Sequence, residues 1–121
     1  MIRYANPSHK SAESEPKSAD DYTVVLTTKA RQRLIELDAY LENAASPDIA
    51  STYVDAVIDC CQSLALFPHR GGKRDDLHPG LRVTHYKSKT IIAFFVDDTC
   101  RTVLIADIFH GGRDYEAALR G

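Results

Sequence analysis

The chain has 121 residues, enough for one domain, and its 44% apolar and 26% charged residues are ordinary for a soluble globular protein. A net charge of −2 argues against a surface built to coat nucleic acid, and no apolar run reaches the ~18–20 residues of a membrane span. The three cysteines match neither a disulfide framework nor a zinc-ligand spacing. We therefore expect a cytoplasmic protein that uses no cofactor and no metal.

The folded domain is expected over residues 21–121. Residues 1–20 contain two prolines and are rich in Ser, Ala, Lys and Glu, a composition typical of a flexible tail. A strand rich in β-branched residues is predicted over residues 22–27. A helix follows, with Thr27 or Thr28 as its N-cap. Its apolar stripe, at spacings of three and four residues, consists of Ala30, Leu34, Leu37, Leu41 and Ala44.

A second helix is predicted to start at Ser46, with Pro47 in its first turn, and to run to about Phe67. The link between the two helices is so short that they must form an antiparallel hairpin. Apolar residues cover roughly 200° of the second helix, about twice the arc of a one-sided surface helix. Either this helix lies between the first helix and a sheet, or part of the arc is a docking groove.

Three strands are predicted in the second half of the chain, over residues 81–86, 90–96 and 102–109. The links between them are short enough for hairpins, so we expect an antiparallel meander. The last two strands are apolar on both faces, as central strands covered from both sides are. A short helical segment follows the last strand. The sequence therefore predicts an α+β fold of order β-α-α-β-β-β, with a helical hairpin packed on a small, mainly antiparallel sheet.

Charge is distributed unevenly along the chain. Residues 1–66 carry six basic and ten acidic side chains, a balance of −4, whereas residues 67–121 carry nine and seven, a balance of +2. Residues 67–90 alone reach +4. Cleavage of RNA at a 2′-hydroxyl needs a proton acceptor, a proton donor and cations that stabilise the phosphate. The candidates for these tasks are Arg82, His85, Arg113 and Tyr115.

A structural role is the alternative for the arginines. Arg74 and Arg113 would then pair with neighbouring carboxylates and hold the strands together. The acids available for such pairs are Asp75, Asp76 and Asp114.

Three segments resemble the RelE/ParE superfamily of type II toxins, and its ParE-like subfamily in particular. They are Phe67-Pro68 with Arg70-Gly71, the stretch over residues 74–82, and the ending Ile-Phe-His-Gly-Gly-Arg-Asp-Tyr-Glu over residues 108–116. The ending is the most specific of the three. The resemblance covers about residues 22–119 and leaves the N-terminal tail outside.

The resemblance implies a toxin that is neutralised by a small ParD-like antitoxin in a hetero-oligomer. The antitoxin would dock on the helical hairpin and the sheet, and the residues expected to bind it are Leu34, Leu41, Val54, Ile58 and Cys61. ParE-like toxins inhibit DNA gyrase and thereby block replication. The residues expected to contact the target are Arg70, Arg74, Arg82, Arg113 and Tyr115.

The alternative activity is that of RelE-like toxins, which cleave mRNA in the ribosome. His85, Arg82, Arg113 and Tyr115 would then be the catalytic residues. A protein that works inside ribosomal RNA usually carries a large positive charge, and this chain is slightly acidic. We therefore expect a protein target, with direct nucleic-acid contact secondary, and no membrane association.

Overall fold

The computed structural model describes residues 21–112 and 114–120. Its elements follow the predicted order, with a short extra strand after the helical hairpin. In chain order they are β1 (Thr23–Leu26), α1 (Thr28–Ala44), α2 (Pro47–Gln62), β2 (Gly72–Lys73), β3 (Leu81–Tyr86), β4 (Thr90–Asp97), β5 (Thr102–His110) and α3 (Tyr115–Arg120). The tail predicted over residues 1–20 lies outside the described residues. Within the described part of the chain, no helix is both long enough and apolar enough to cross a membrane.

The five strands form one sheet in the order β1-β5-β4-β3-β2. The pairs β5–β4, β4–β3 and β3–β2 are antiparallel, whereas β1 pairs with β5 in parallel. β1 covers only the first half of β5, from Thr102 to Ile105. Beyond that point β5 continues with a register shift opposite Ala93 and Phe94. The predicted α+β architecture with a mainly antiparallel sheet is confirmed.

Both helices of the hairpin begin at the residues that the sequence indicates. The Thr27 hydroxyl accepts a hydrogen bond from the Ala30 amide at 3.1 Å, and the Ser46 hydroxyl accepts one from the Ile49 amide at the same distance. Each bond satisfies an amide that lacks an intrahelical partner. The two helices then pack against each other along their length.

α2 ends earlier than predicted, at Gln62 rather than near Phe67, and one turn of 3₁₀ helix (Ser63–Ala65) follows. The Ser63 hydroxyl donates to the Cys60 carbonyl at 2.5 Å, so this side chain competes for an acceptor of the last helical turn. Pro68 also disfavours helical geometry at the residue before it. As a result Leu66 and Phe67 leave the helix and lie at the surface.

The buried part of the wide apolar arc of α2 faces α1 and the sheet. Val54, Ile58 and Cys61 are at most 1% exposed and pack in one core with the side chains of α1, β4 and β5. The expectation that these three form an antitoxin-binding groove is therefore wrong for this fold, because a partner cannot reach them. Leu34 is buried in the same core, and Leu41 is half-buried at its rim.

The second face of the sheet carries a smaller core. Buried side chains from β3, β4 and β5 meet Leu77 of the loop before β3, and α3 packs Tyr115 and Leu119 against them. The central strands β4 and β5 are thus covered on both sides, as their apolar sequences predict. The C-terminal helix is the element that positions Tyr115 against the sheet.

Candidate functional site

The segment over residues 66–74, here called the basic loop, connects the helical hairpin to the sheet. Arg82 on β3 holds this loop in place, because its guanidinium donates to three successive carbonyl oxygens of the loop. The acceptors are those of His69, of Arg70 at 3.3 Å and of Gly71 at 3.5 Å. These bonds occupy Nε and Nη2 of the Arg82 guanidinium. Arg82 therefore shapes the loop.

Arg74 joins the basic loop to the C-terminal helix. Its guanidinium binds both carboxylate oxygens of Asp76 at 2.9 Å, one oxygen of Glu116 at 2.8 Å and the Tyr115 hydroxyl at 3.2 Å. The hydrogen bond from Arg74 is the main reason that the pKa of Asp76 lies below its ordinary value. Of the two interpretations of Arg74, the geometry favours the structural one, with Glu116 as a partner from across the chain.

Asp75 and Asp114, the other acids expected to pair with the arginines, accept bonds from backbone amides. The Asp75 carboxylate accepts from the Gly80 amide at 2.8 Å, and the Asp114 carboxylate accepts from the Ala117 amide at 3.2 Å. They fix the turn before β3 and the start of α3. Arg113 lies outside the described residues.

Arg70 differs from Arg74 and Arg82 in its partners. Its guanidinium donates to the Ser63 hydroxyl at 2.8 Å and lies over the Phe67 ring, 5.4 Å from the centroid. Among the described residues, no carboxylate comes within ion-pair distance of it. The charge of Arg70 is therefore presented to solvent beside an aromatic ring.

The neighbours of Arg70 form the most apolar exposed surface of the basic loop. Leu66 is 59% exposed and Phe67 is 57% exposed. They line an open cleft of about 510 Å³ with Pro68, His69 and Arg70. We call these five residues the Phe67 patch. Aromatic and arginine side chains are enriched in protein–protein interfaces.

His69 ties the patch to the turn between β4 and β5. Its Nε2 lies 2.9 Å from the Asp98 carboxylate, which also accepts a bond from the Tyr22 hydroxyl at 2.6 Å. These bonds lower the pKa of Asp98, and the carboxylate in turn raises the pKa of Tyr22. The patch is thus anchored at His69, both by Arg82 through the backbone carbonyl and by Asp98 through the side chain.

Of the described residues proposed for RNA cleavage, Arg82 and His85 are not brought to one place. Arg82 and His85 are three positions apart in the regular strand β3, so their side chains leave opposite faces of the sheet. Arg82 faces the basic loop, whereas His85 is exposed on the face that carries Leu81 and Val83. The Tyr115 hydroxyl is bonded to Arg74.

A second cluster, which the sequence does not single out, lies between the helical hairpin and the end of β5. The Thr90 hydroxyl bonds both the Tyr53 hydroxyl at 2.7 Å and Nδ1 of His110 at 2.8 Å. Burial, and secondarily the charge of Lys89, lowers the pKa of His110. The sequence does not predict that Tyr53 and His110 lie close together, because their contact depends on the helical hairpin lying across β4 and β5.

Comparison with known proteins places the chain in a class. The sequence pattern of the ParE toxins of type II toxin–antitoxin systems, the parDE systems, matches residues 24–115. Among solved structures, the chromosomal ParDE system from P. aeruginosa matches with a TM-score of 0.66 and 18% identity, over 76% of this chain and 98% of that one. The toxin–antitoxin complex RelBE2 from Mycobacterium tuberculosis matches with a TM-score of 0.55 and 25% identity, over 75% and 99%. Among curated proteins, none matches.

These findings define the class as a toxin of a type II toxin–antitoxin system, whose partner is an antitoxin. Within that class, the chain belongs to the ParE toxin family. The likeness to the P. aeruginosa structure supports the fold alone at its level of identity.

Proposed function

We propose that this ParE-family toxin inhibits DNA gyrase and so blocks replication, and that binding of its antitoxin relieves the inhibition. The observation that carries the proposal is the family match over residues 24–115, combined with a surface that suits a protein target. The Phe67 patch offers two exposed apolar side chains and one guanidinium that no described carboxylate neutralises. A protein surface with acidic groups around an apolar recess complements it.

Within this proposal the predicted contact residues have different tasks. Arg70 touches the target directly, together with Phe67. Arg82 acts indirectly, because its bonds to the carbonyls of the basic loop set the position of the patch. Arg74 and Tyr115 hold α3 against the basic loop. Arg113 is proposed as a further contact beside them.

Ribosome-dependent mRNA cleavage is the second candidate. The balance of +4 over residues 67–90 and the likeness to the RelBE2 complex favour it. Against it stand the opposite orientations of Arg82 and His85, because general acid–base catalysis needs its groups within hydrogen-bond reach of one substrate. The slightly acidic total charge is also unfavourable for work inside ribosomal RNA.

The two candidates are distinguished in cells that produce the toxin from an inducible promoter. Incorporation of labelled thymidine and labelled methionine is followed over the first minutes after induction. Gyrase inhibition predicts that thymidine incorporation stops first, whereas mRNA cleavage predicts that methionine incorporation stops first. Co-production of the antitoxin is the control and restores both.

The contact surface is tested by variants of the same chain. Arg70→Ala and Phe67→Ala are expected to weaken inhibition of gyrase at least tenfold, because each removes a central contact group. Lys73→Ala is the matched control, since it removes an exposed positive charge from neighbouring β2 without touching the patch. Equal inhibition by all three variants and the native toxin would contradict the assignment of the patch.

A further inference from the structure

The turn between β3 and β4, here called the hairpin tip (residues 87–89), carries two lysines to which the proposed function gives no task. Lys87, Ser88 and Lys89 are all exposed. The chain contains no Asp or Glu from residue 81 to residue 96. Among the described residues, no carboxylate comes within ion-pair distance of either lysine. The hairpin tip therefore presents two positive charges to solvent.

Asp48 is the acid that borders the same cleft as Lys87. It lies in the first turn of α2, where the amides at the start of the helix attract a negative charge. Its carboxylate forms no ion pair with Lys87. The ammonium of Lys87 is therefore available for an anionic ligand.

Contacts within the protein hold both lysines in place. Lys87 has a φ of +54°, a conformation that residues with a side chain seldom adopt. Its Nζ lies 5.9 Å from the centroid of the Tyr86 ring, and the attraction between cation and ring orients the ammonium. The carbonyl of Lys89 accepts a hydrogen bond from the Gly111 amide at 3.0 Å. The hairpin tip is thus attached to the end of β5.

The backbone next to the hairpin tip is open. Gly111 and Gly112 are both exposed, and a Cβ at either position would meet no atom within 4 Å. An extended ligand can therefore come close to the backbone beside Lys89. The Ser88 hydroxyl is a further exposed donor. Lysine, serine and backbone amides are the groups with which proteins contact the phosphates of nucleic acids.

The hairpin tip and the Phe67 patch lie at opposite ends of β4. The hairpin tip directly precedes β4, whereas the patch is bonded through His69 to Asp98, which directly follows it. The eight residues of β4, at ~3.4 Å per residue, separate the two surfaces by about 25 Å. One toxin molecule can therefore contact a protein with the patch and a second ligand with the hairpin tip at the same time.

We infer that the hairpin tip binds the phosphodiester backbone of duplex DNA through the ammonium groups of Lys87 and Lys89. A phosphate backbone suits it better than a protein partner does, because the tip offers charges and a hydroxyl but no exposed apolar side chain for an interface core. The choice of DNA rests on the proposed function, since gyrase acts on duplex DNA. The toxin would then contact gyrase and its DNA together.

The test is an NMR titration of the ¹⁵N-labelled full-length toxin with a short DNA duplex at low salt and without gyrase. The amide signals of Ser88, Lys89 and Gly111 are expected to shift. The affinity should fall with salt with a logarithmic slope of about −1.8, from two phosphate contacts at about 0.9 each. The double variant Lys87→Gln/Lys89→Gln is expected to bind at least tenfold more weakly and to lose this slope. Lys73→Gln, at the other end of β3, is the matched control and should bind like the native toxin.

A second variant keeps the result independent of folding. Ser88→Glu leaves both lysines in place and adds a repelling charge, so it should also weaken binding at least tenfold. Melting temperatures verify the fold of each variant. Native affinity in both the double variant and Ser88→Glu, or shifts confined to other parts of the chain, would overturn the inference.

Two further titrations identify the source of the phosphate. Inorganic phosphate at the same total phosphate concentration, and single-stranded RNA, are each expected to bind more weakly than the duplex. Equal binding of inorganic phosphate would overturn the assignment to a polymer, and tighter binding of RNA would overturn the assignment to DNA. Gyrase inhibition is measured separately. A toxin that binds DNA through the hairpin tip and leaves gyrase active contradicts the proposed function alone, whereas one that inhibits gyrase without any shift at the hairpin tip contradicts this inference alone.

Discussion

Gly71 lies in the basic loop directly before β2, and its replacement by alanine is expected to disrupt the loop. Its φ is +79°, and a Cβ at this position would lie 2.3 Å from the Val83 carbonyl oxygen. The left-handed conformation alone costs an L-residue about 1–2 kcal/mol. The steric clash with Val83 costs more, because its carbonyl oxygen belongs to the backbone of β3 and the clash is relieved only if β2 or β3 moves.

The size of the effect follows from what that movement breaks. β2 pairs with β3 through Gly72 opposite Val83, and Arg82 holds the carbonyl of Gly71 and its two predecessors. Loss of a few such hydrogen bonds, at about 1 kcal/mol each, adds to the conformational cost. We expect Gly71→Ala to lower the free energy of unfolding by about 3–5 kcal/mol. For a domain of this size, that lowers the melting temperature by roughly 10–20 °C.

Two other glycines provide the controls for a urea denaturation series. Gly112 has the same φ of +79°, but a Cβ there meets nothing within 4 Å, so Gly112→Ala should cost about 1 kcal/mol. A Cβ at Gly72 would also meet nothing within 4 Å, and the φ of Gly72 is not positive, so Gly72→Ala should change stability by less than about 0.5 kcal/mol. If Gly71→Ala and Gly112→Ala lose equal stability, the steric part of the reasoning is refuted.

Three further predictions concern the core, a histidine and the thiols. Ile58→Ala should lower the free energy of unfolding by about 2–5 kcal/mol because the side chain is buried, whereas Ile49→Ala, at a 55% exposed position, should cost under about 1 kcal/mol in the same urea titration. Burial lowers the pKa of His110, so the unfolded chain takes up a proton first as the pH falls through about 6.5, and the stability of the native state should drop there. Urea midpoints measured from pH 8 to 5 should show this drop for the native protein and not for His110→Asn. An unchanged pH dependence in His110→Asn would exclude the assignment. A thiol reagent should modify the exposed Cys100 in the native protein and the buried Cys61, whose pKa burial raises, only after unfolding; mass spectrometry of the two peptides checks the order.

The sequence predicts the elements well because their signals are local. Thr27 and Ser46 mark helix starts through bonds to amides three positions away. The apolar sequences of β4 and β5 indicate that both their faces are covered. The end of α2 is harder to predict from the sequence. The Ser63 hydroxyl and the proline at position 68 act together there, and neither alone fixes the last helical residue.

The candidate site was predicted less well because its decisive contacts link distant parts of the chain. Periodicity shows which side chains of α2 share a face, but not that α1 and the sheet bury Val54, Ile58 and Cys61. Arg74 meets Glu116 across 42 positions, and Arg33 meets Asp107 across 74. No spacing rule predicts such pairs. Only the three-dimensional structure therefore distinguishes the arginines of the basic stretch that hold the fold together from the one arginine whose side chain is exposed.

The central claim is tested most directly on relaxed plasmid incubated with purified gyrase, ATP and increasing amounts of the toxin. The account predicts that supercoiling stops and that linear plasmid accumulates once the reaction is treated with detergent and protease, because gyrase is held on cleaved DNA. Prior addition of the antitoxin should prevent both effects. Complete supercoiling at a large excess of toxin, while the same toxin preparation cleaves ribosome-bound mRNA, would contradict the account.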